Sequence, residues 1–416
     1  MPDHQQMPGM DMGPPAPTAP AEHAASGTSV NPRSSPMDMI HKRLGSWNLM
    51  FHGIVFIADE QQTGPRGGDK FFAPNWFMAT AGHSAGRGSI EFRSMLSLDP
   101  ATVTNRRYPL LFQTGETAYG RPLVDAQHPH DFLMELSVRY MRPLTDSTSL
   151  LLYFAPVGDP ALGPVAFPHR VSAMELPQAT LSHHVQDSTH IANEVLTAAL
   201  VRHSFRFEAS GFHGAEPNEN RWNIDYGGID SWATRLTWTP GDNWMGQVSV
   251  GRLHRPEATE LGDVVRSSAS LTYNRPIANG NWASSIIWGR NHKTAELHNL
   301  NSYLVESVVQ FKHQNYVTGR IELVDKDELF NDRPAIREHL EQTAGSTFRI
   351  TAYTLGYTRD VNVVPWLVTG IGGNFTVYGT PAVIRPYYGE HPAGFIFFLR
   401  ARIKGSEPMT HMHHGS

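Results

Sequence analysis

The chain has 416 residues, of which 40% are hydrophobic and 18% charged, and its formal net charge is −5. This balance lacks the basic surface expected of a nucleic-acid-binding protein, and the absence of cysteine excludes disulfides and thiolate metal sites. No apolar run approaches the length of about 18 residues that a membrane-spanning helix needs. A transmembrane β-barrel remains compatible with this composition, because only every second residue of its strands faces lipid.

Residues 1–45 are rich in Met, Pro and Ala and show no periodicity, which predicts a disordered arm. The opening MPDHQQMPGM lacks the apolar core of a signal peptide. Taken alone, this counts against export. Because a mature chain would look the same, we expect an exported protein whose signal peptide has been removed.

From Ser46 onward, apolar and polar residues alternate with the period of half-buried strands. Between 132 and 142, for example, Leu136 and Val138 alternate with Glu135, Ser137 and Arg139. About sixteen such runs follow one another. They lie near 46–57, 70–80, 89–98, 132–142, 148–156, 191–202, 204–214, 231–239, 243–252, 264–274, 281–290, 300–312, 315–325, 347–358, 363–375 and 391–403.

The connections between these runs alternate between short turns and long loops, and the long loops include 99–131 and 157–190. One face of the runs carries charged residues at regular intervals. Burying them in a dry core would cost much free energy, whereas a water-filled lumen would keep them hydrated. The predicted lumen charges are Glu91, Arg93, Glu135, Arg139, Arg206, Glu208, Arg235, Glu306, Arg320, Glu322, Arg349, Arg400 and Arg402. The predicted lipid-facing residues include Phe92, Leu136, Phe207, Leu323 and Phe397. We therefore predict an all-β, transmembrane, antiparallel up-and-down β-barrel of about 16 strands over residues 46–404.

In this architecture the chain resembles the bacterial outer-membrane porins, from about Ser46 to Lys404. It departs from them at its end, because twelve residues follow Lys404 where such barrels usually end on an aromatic residue. The resemblance implies an outer-membrane location, contact with lipid and passage of a small solute. It also leaves association into a homo-oligomer open.

Both tails combine thioether and imidazole side chains, which suit copper. Met7, Met10 and Met12 lie in the first tail, PMDMIH spans Pro36 to His41, and residues 405–416 contain MTHMHH. The first tail resembles the Met-rich arms of bacterial copper-resistance outer-membrane proteins, and this resemblance implies copper as a cargo. The competing interpretation is a flexible Met-containing tail with a cloning remnant at the other end.

Two histidine-rich stretches, QHPHD in loop 99–131 and LSHHVQDSTHIANE from Leu181 to Glu194, contain the candidate metal ligands. These are His128, His130, Asp131, His183, His184, Asp187 and His190. On a helix, His183, Asp187 and His190 would share one face. Neutral imidazoles that converge from two loops form a site for a divalent transition metal such as copper or zinc. The alternative is a polar plug whose histidines only form hydrogen bonds.

We therefore predict a barrel for passage, binding or sequestration of a small solute, with a transition metal such as copper as the favoured solute, and not an enzyme. Two alternatives stay open: a metal-dependent enzyme using Glu175, Asp187 or Glu194 as acid or base, and a soluble all-β binding protein. The pentapeptide Gly82–Gly86 matches the G-x-S-x-G nucleophile elbow, but it lies between two strand patterns rather than before a helix. We interpret it as a hairpin turn.

Overall fold

A computed structural model describes residues 23–36 and 38–405 of the chain. These residues form twenty strands. The strands are β1 (Ile40–Leu44), β2 (Trp47–Gln62), β3 (Gly68–Phe72), β4 (Asn75–Ala85), β5 (Gly88–Leu96), β6 (Tyr108–Ala118), β7 (Arg121–Gln127), β8 (Leu133–Thr145), β9 (Thr148–Gly158), β10 (Ala192–Arg202), β11 (Phe205–His213), β12 (Ser231–Trp238), β13 (Trp244–Leu253), β14 (Val264–Ile277), β15 (Gly280–Lys293), β16 (His298–Phe311), β17 (Asn315–Lys326), β18 (Phe348–Asp360), β19 (Leu367–Gly379) and β20 (Ala393–Ile403).

Sixteen of these strands close into one antiparallel barrel. Strands β2, β4, β5 and β8 to β20 follow each other in chain order, and β20 pairs back onto β2 with Ile54 opposite Arg402. Closure gives each of these sixteen strands a partner on both sides, which removes the open edges that an unclosed sheet would have. The predicted all-β barrel of about 16 strands is confirmed.

Two short strands complete the seam of the barrel. Strand β1 pairs with the start of β2, with Ile40 opposite Phe51, beside the part of β2 that β20 does not reach. Strand β3 pairs with the end of β2, and β4 pairs with its first half, so β3 and β4 act as one strand interrupted at Pro74. Proline lacks the N–H that a continuous ladder would need at this point.

The outer wall of the barrel is apolar along its strands. Phe92, Leu136, Phe207 and Phe397 are between 44% and 58% exposed. Leu323 is half-buried on the same side of β17 as the exposed Ile321. The predicted outward face is therefore the outward face of the structure.

The predicted lumen charges point inward with one exception. Glu135 and Glu306 are each 1% exposed, and Arg320 is 2% exposed. Arg349 was predicted to face the lumen and instead lies on the outer side, where its Nε is 2.8 Å from Oδ1 of Asp325. The reason is the strand period, because its neighbours Phe348 and Ile350 on β18 take the inward positions.

The long connection between β9 and β10 folds into the lumen, and almost all of residues 159–190 are buried there. Ion pairs join it to the wall: Nε of Arg170 lies 2.6 Å from Oε1 of Glu306, and Nη1 of Arg402 lies 3.2 Å from Oε1 of Glu175. The charges of the wall are thus neutralised by charges of the inserted loop, which is what buried ions require. We call residues 159–190 the lumen loop.

A second insertion comes from residues 23–36, which form a small hairpin with Ala24 paired to Val30. Its tip is buried, and Nη1 of Arg93 donates a hydrogen bond of 2.7 Å to the carbonyl oxygen of Ala25. The sequence predicts a disordered arm over residues 1–45, and the structure differs here and at β1 (Ile40–Leu44). Composition reflects side chains alone, whereas here the backbone carbonyls of Ala25 and Gly27 satisfy the buried Arg93.

The predicted copper-binding residues Met7, Met10 and Met12 lie outside the described residues, as does the tail from 406 onward.

Strands β6 and β7 form a separate two-stranded hairpin inside loop 99–131. The α-helices lie in the long connections: α1 (Asp99–Thr102), α2 (His183–Gln186), α3 (Pro334–Thr343) and α4 (Arg385–Tyr388). Among the residues described, no helix has both the length and the apolar composition needed to cross a membrane.

Candidate metal centre

Four connections from the end of the barrel with the long loops meet above and within the lumen. They are the β6–β7 hairpin with the QHPHD stretch after it, the lumen loop, the connection after β11 and the connection after β13. Together they form three overlapping groups of potential ligands, whose ligand atoms within each group lie within 4.8 Å of one another. The groups are His128, His183 and His184; Glu116, His128 and Glu216; and His184, Glu216 and Glu257.

The first group, which we call the imidazole group, consists of His128, His183 and His184. The ring centroids of His183 and His184 are 5.1 Å apart, and that of His128 lies 5.6 Å from His184. Two adjacent residues of a strand would point to opposite faces, but the single turn of α2 allows both rings to face His128. The structure therefore brings together histidines from the two stretches that the sequence singled out.

Each ring of the imidazole group has its Nδ1 beside an oxygen. Nδ1 of His183 lies 2.8 Å from Oδ1 of Asp187, and Nδ1 of His184 lies 2.9 Å from Oε1 of Glu257. Nδ1 of His128 lies 3.1 Å from the carbonyl oxygen of Pro129. Proteins fix the tautomer and orientation of metal-binding histidines in this way, which leaves Nε2 for the ion.

Two of the Nε2 atoms that remain are orphaned. Within the described part of the chain, Nε2 of His128 and Nε2 of His184 are buried and have no hydrogen-bond partner. Oε1 of Glu116 is 3.1 Å from Nε2 of His128, but not in hydrogen-bonding geometry. A buried polar atom left unsatisfied costs about 1–3 kcal/mol, and a bound metal would remove that cost.

The dimensions of the imidazole group fit a metal after a small contraction. Nitrogen ligands of a tetrahedral zinc ion lie about 2.1 Å from it and therefore about 3.4 Å from one another. The three ligand atoms of this group lie within 4.8 Å of one another. For a pair of atoms at that limit, binding would draw the two nitrogens together by about 1.4 Å.

Burial disfavours the charged form of His128 and of His184. It lowers the pKa of His184 to about 3, and it lowers the pKa of His128 well below its ordinary value with further help from the neighbouring His184 and His183. A neutral imidazole has a free electron pair for a metal. Burial also raises the pKa of Glu216, and Glu257 beside it contributes in the same direction.

His130 and His190 lie next to the imidazole group but, among the described residues, belong to none of the three groups. Their ring centroids are 5.6 Å apart, and that of His190 is 5.4 Å from His183. Nδ1 of His130 lies 2.9 Å from Oδ2 of Asp99. Both rings form a layer behind the candidate ligands.

The two predicted aspartate ligands have other contacts. Oδ2 of Asp131 is 3.2 Å from Nη1 of Arg221. Asp187 accepts hydrogen bonds from the backbone N–H of Phe167 at 2.9 Å and from Nη1 of Arg170 at 3.1 Å. The spacing of four residues between His183 and Asp187 does place them in contact, but Asp187 orients the ring and is itself held by the lumen loop.

Three residues of the centre were missed by sequence reasoning: Glu116, Glu216 and Glu257. They lie in three different connections, and Glu216 is 100 residues from Glu116 along the chain. Glu116 also has a left-handed backbone, with φ of 60°. No local pattern marks them, because charged residues are ordinary in long connections.

The alternative catalytic residues are engaged elsewhere. Glu175 pairs with Arg400 and Arg402, and Oε2 of Glu194 accepts hydrogen bonds from the backbone N–H groups of Gly227 and Gly228. The G-x-S-x-G pentapeptide ends β4 and begins the turn to β5. The expected hairpin turn is confirmed.

No family model matches this sequence, and a search of curated proteins finds no relative. Solved structures with the same fold include an anion-selective porin from Comamonas acidovorans, with a TM-score of 0.51 and 11% sequence identity over 86% of this chain and 99% of that one. OprB of Pseudomonas putida has a TM-score of 0.52 and 11% identity over 86% of this chain and 94% of that one. Salmonella typhi OmpF in complex with daunomycin has a TM-score of 0.51 and 9% identity over 87% and 100%. At these identities the likeness is one of fold.

Proposed function

We propose that this protein is a porin-like outer-membrane barrel that binds a divalent transition metal, copper or zinc, inside its lumen. One observation carries the proposal. His128, His183 and His184 converge from two inserted loops, each with its Nδ1 beside an oxygen, and the buried Nε2 atoms of His128 and His184 have no partner in the described chain. Imidazole nitrogens suit both zinc and copper.

The outer-membrane location rests on the wall of the barrel. A closed barrel with an apolar outer face and a charged interior satisfies all backbone hydrogen bonds internally, as hydrocarbon requires. Exposed tryptophans on this wall include Trp232, Trp238, Trp244 and Trp282, and aromatic residues of this kind flank the apolar band of outer-membrane barrels. Homo-oligomer formation remains a prediction.

The filled lumen favours binding or sequestration over open diffusion. Cavities beside the lumen loop measure about 20 Å³ near Glu60 and Glu322, and about 70 Å³ near Glu175 and Tyr316. These volumes suit one or a few waters, whereas a hydrated organic solute would need the loop to move. A single metal ion is a solute that this interior could hold without such a rearrangement.

The test compares metal content in the folded protein. Wild-type protein in detergent, equilibrated with zinc or with Cu(II) and then dialysed, should retain at least one more ion per chain than His183→Ala. The control is His203→Ala, which changes an exposed histidine in the turn between β10 and β11 and should match wild type. X-ray absorption of the zinc form should show nitrogen ligands at about 2.0–2.1 Å.

Equal metal content in wild type and His183→Ala would reject the proposal. Both proteins carry the Met- and His-rich tails, so any metal bound by residues 1–22 or 406–416 cancels in the comparison. The separate prediction that these tails bind Cu(I) is tested by removing them and measuring Cu(I) stoichiometry.

A further inference from the structure

We propose a second cation site beside the imidazole group, in which the carboxylates of Glu216 and Glu257 bind a hard divalent cation such as Mn²⁺ or Ca²⁺. This second site extends the proposed function to a centre that holds two ions of different chemistry. It rests on the proposed function, because His184 belongs to both groups of ligands. Oxygen ligands select hard cations, whereas imidazoles select zinc and copper. The two sites would therefore differ in the metal that they prefer.

His184 connects the two sites geometrically. Its Nδ1 lies 2.9 Å from Oε1 of Glu257 and 3.7 Å from Oε2 of Glu216. A neutral imidazole binds one ion through one nitrogen, so Nε2 would serve the imidazole group while Nδ1–H donates to Glu257. The second oxygen of Glu257 then remains for the second ion.

Glu216 provides independent evidence for a bound cation. Its side chain is only 4% exposed, and its Oε1 is buried with no hydrogen-bond partner in the described residues. Glu216 also shares a group with Glu116 and His128, so it lies between the imidazole group and Glu257. A buried carboxylate oxygen without a donor needs a proton or a cation to compensate its charge.

The surrounding charges favour a cation. Five carboxylates interact here, namely Glu216, Glu257, Glu260, Asp327 and Glu328. The basic groups that face them are Arg266, Lys293, Lys326 and His298, whose Nε2 lies 3.0 Å from Oδ2 of Asp327. With all groups ionised, five negative charges exceed four positive ones, so the cluster keeps an excess of negative charge that a bound cation would offset.

Protons on the carboxyl groups are the competing explanation. Burial raises the pKa of Glu257 as well as that of Glu216, so a proton could replace the cation. The two explanations differ in what they predict for metal binding, and only the first makes Glu257 necessary for binding a hard cation.

The experiment uses Mn²⁺ as the probe, measured by electron paramagnetic resonance on the full chain in detergent at pH 7.5. Wild type should bind one Mn²⁺ more tightly, by about tenfold or more, than Glu257→Gln or Glu216→Gln. Glu219→Gln is the matched control, because Glu219 lies in the same connection as Glu216 but pairs with Arg106 at 3.0 Å and belongs to none of the three groups. It should bind Mn²⁺ as wild type does.

His183→Ala separates this inference from the proposed function. It should lose zinc while keeping Mn²⁺, because His183 belongs only to the imidazole group. The second site would be overturned, and the first left intact, if wild type bound zinc but no Mn²⁺. The second site would also be overturned if both glutamate variants bound Mn²⁺ as tightly as wild type. Faster migration of unboiled samples on gels checks that each variant is folded, and the two glutamate variants test the site independently.

Discussion

Nδ1 of His183 lies 2.8 Å from Oδ1 of Asp187, one helical turn further along the chain. The other oxygen of Asp187 accepts from Arg170, which in turn contacts Glu306 on the barrel wall at 2.6 Å. A candidate metal ligand is thus held in orientation by ion pairs between the lumen loop and the wall. The same contacts that close the lumen also organise the candidate site.

The first prediction concerns this orientation. Asp187→Asn keeps the shape of the side chain but removes its charge, so it weakens the contacts with both His183 and Arg170. We expect zinc affinity to fall about 10- to 100-fold with unchanged stoichiometry, the usual effect of losing a partner of a metal-binding histidine. Competition with a chelator measures the affinity. Asp242→Asn, at an exposed carboxylate, should leave it unchanged, and equal affinities in the two variants would contradict the prediction.

The second prediction concerns Gly115, which lies against His184. A Cβ at Gly115 would be 2.6 Å from Nδ1 of His184, and its φ of +110° disfavours other residues. Gly115→Ala should therefore displace the ring and reduce zinc binding. Gly120→Ala is the control, because its φ is +70° but no atom of another described residue beyond its chain neighbours lies within 4 Å of the added Cβ. If both variants bind zinc equally well, the contact with His184 is unimportant.

The third prediction concerns the hairpin of residues 23–36. A Cβ at Gly27 would lie 2.3 Å from the carbonyl oxygen of Asp159, so Gly27→Ala should displace the tip and leave Arg93 without its carbonyl partners. We expect unfolding in urea to become easier by about 1–3 kcal/mol. Gly45 has a φ of +60°, close to the +55° of Gly27, and the described part of the chain leaves space for a Cβ there. Gly45→Ala should therefore cost about 1 kcal/mol. Equal losses would show that only backbone strain was measured.

The fourth prediction is that stability depends on pH through Asp159 of the lumen loop. Its Oδ2 accepts a hydrogen bond of 2.7 Å from Ser26, in the hairpin of residues 23–36. Burial raises the pKa of Asp159 to about 8, although Arg235 opposes this, and Glu135 and Glu208 add to it. The folded state thus holds this proton more tightly than the unfolded chain, whose aspartate titrates near 3.9. The contribution to stability is complete below about pH 4 and is lost as pH rises to about 8.

Asp159→Asn should remove this dependence. Relative to wild type, the variant should gain in free energy of unfolding between pH 5 and pH 9, because its side chain cannot ionise. Urea titrations at both pH values measure the difference. A gap between the two proteins that stays constant with pH would show that Asp159 does not titrate in this range.

The fifth prediction tests the lipid-facing wall. Ile286 lies in the middle of β15 and is 59% exposed, whereas Ile277 lies at the end of β14 and is 37% exposed. In a membrane, Ile286→Arg should cost about 2–4 kcal/mol and Ile277→Arg about 0–1 kcal/mol, because the penalty for arginine depends on depth. Unfolding in lipid vesicles measures both. If both substitutions lowered the free energy of unfolding by the same small amount, the wall would face water rather than lipid.

The sequence determined the barrel because strand period is a local property. Leu136 and Glu135 alternate on β8, and the same alternation recurs in each of the sixteen strands, so apolar and charged faces follow from neighbours two residues apart. Arg349 shows the limit of that reasoning. Its charge indicated the lumen, but the inward positions of Phe348 and Ile350 decided its direction.

The tertiary structure decided the candidate site, because its residues meet only when four connections fold into one barrel end. His183 and His184 are conspicuous in the sequence, yet their joint approach to His128 depends on α2 and on the insertion of the lumen loop. Glu216 and Glu257 had no local signal at all. Residues 23–36 likewise carry no strand pattern, and they are held in place because buried Arg93 of the wall donates hydrogen bonds to the carbonyl oxygens of Ala25 and Gly27. Contacts between residues a hundred positions apart depend on strand order and closure, which no short stretch of sequence encodes.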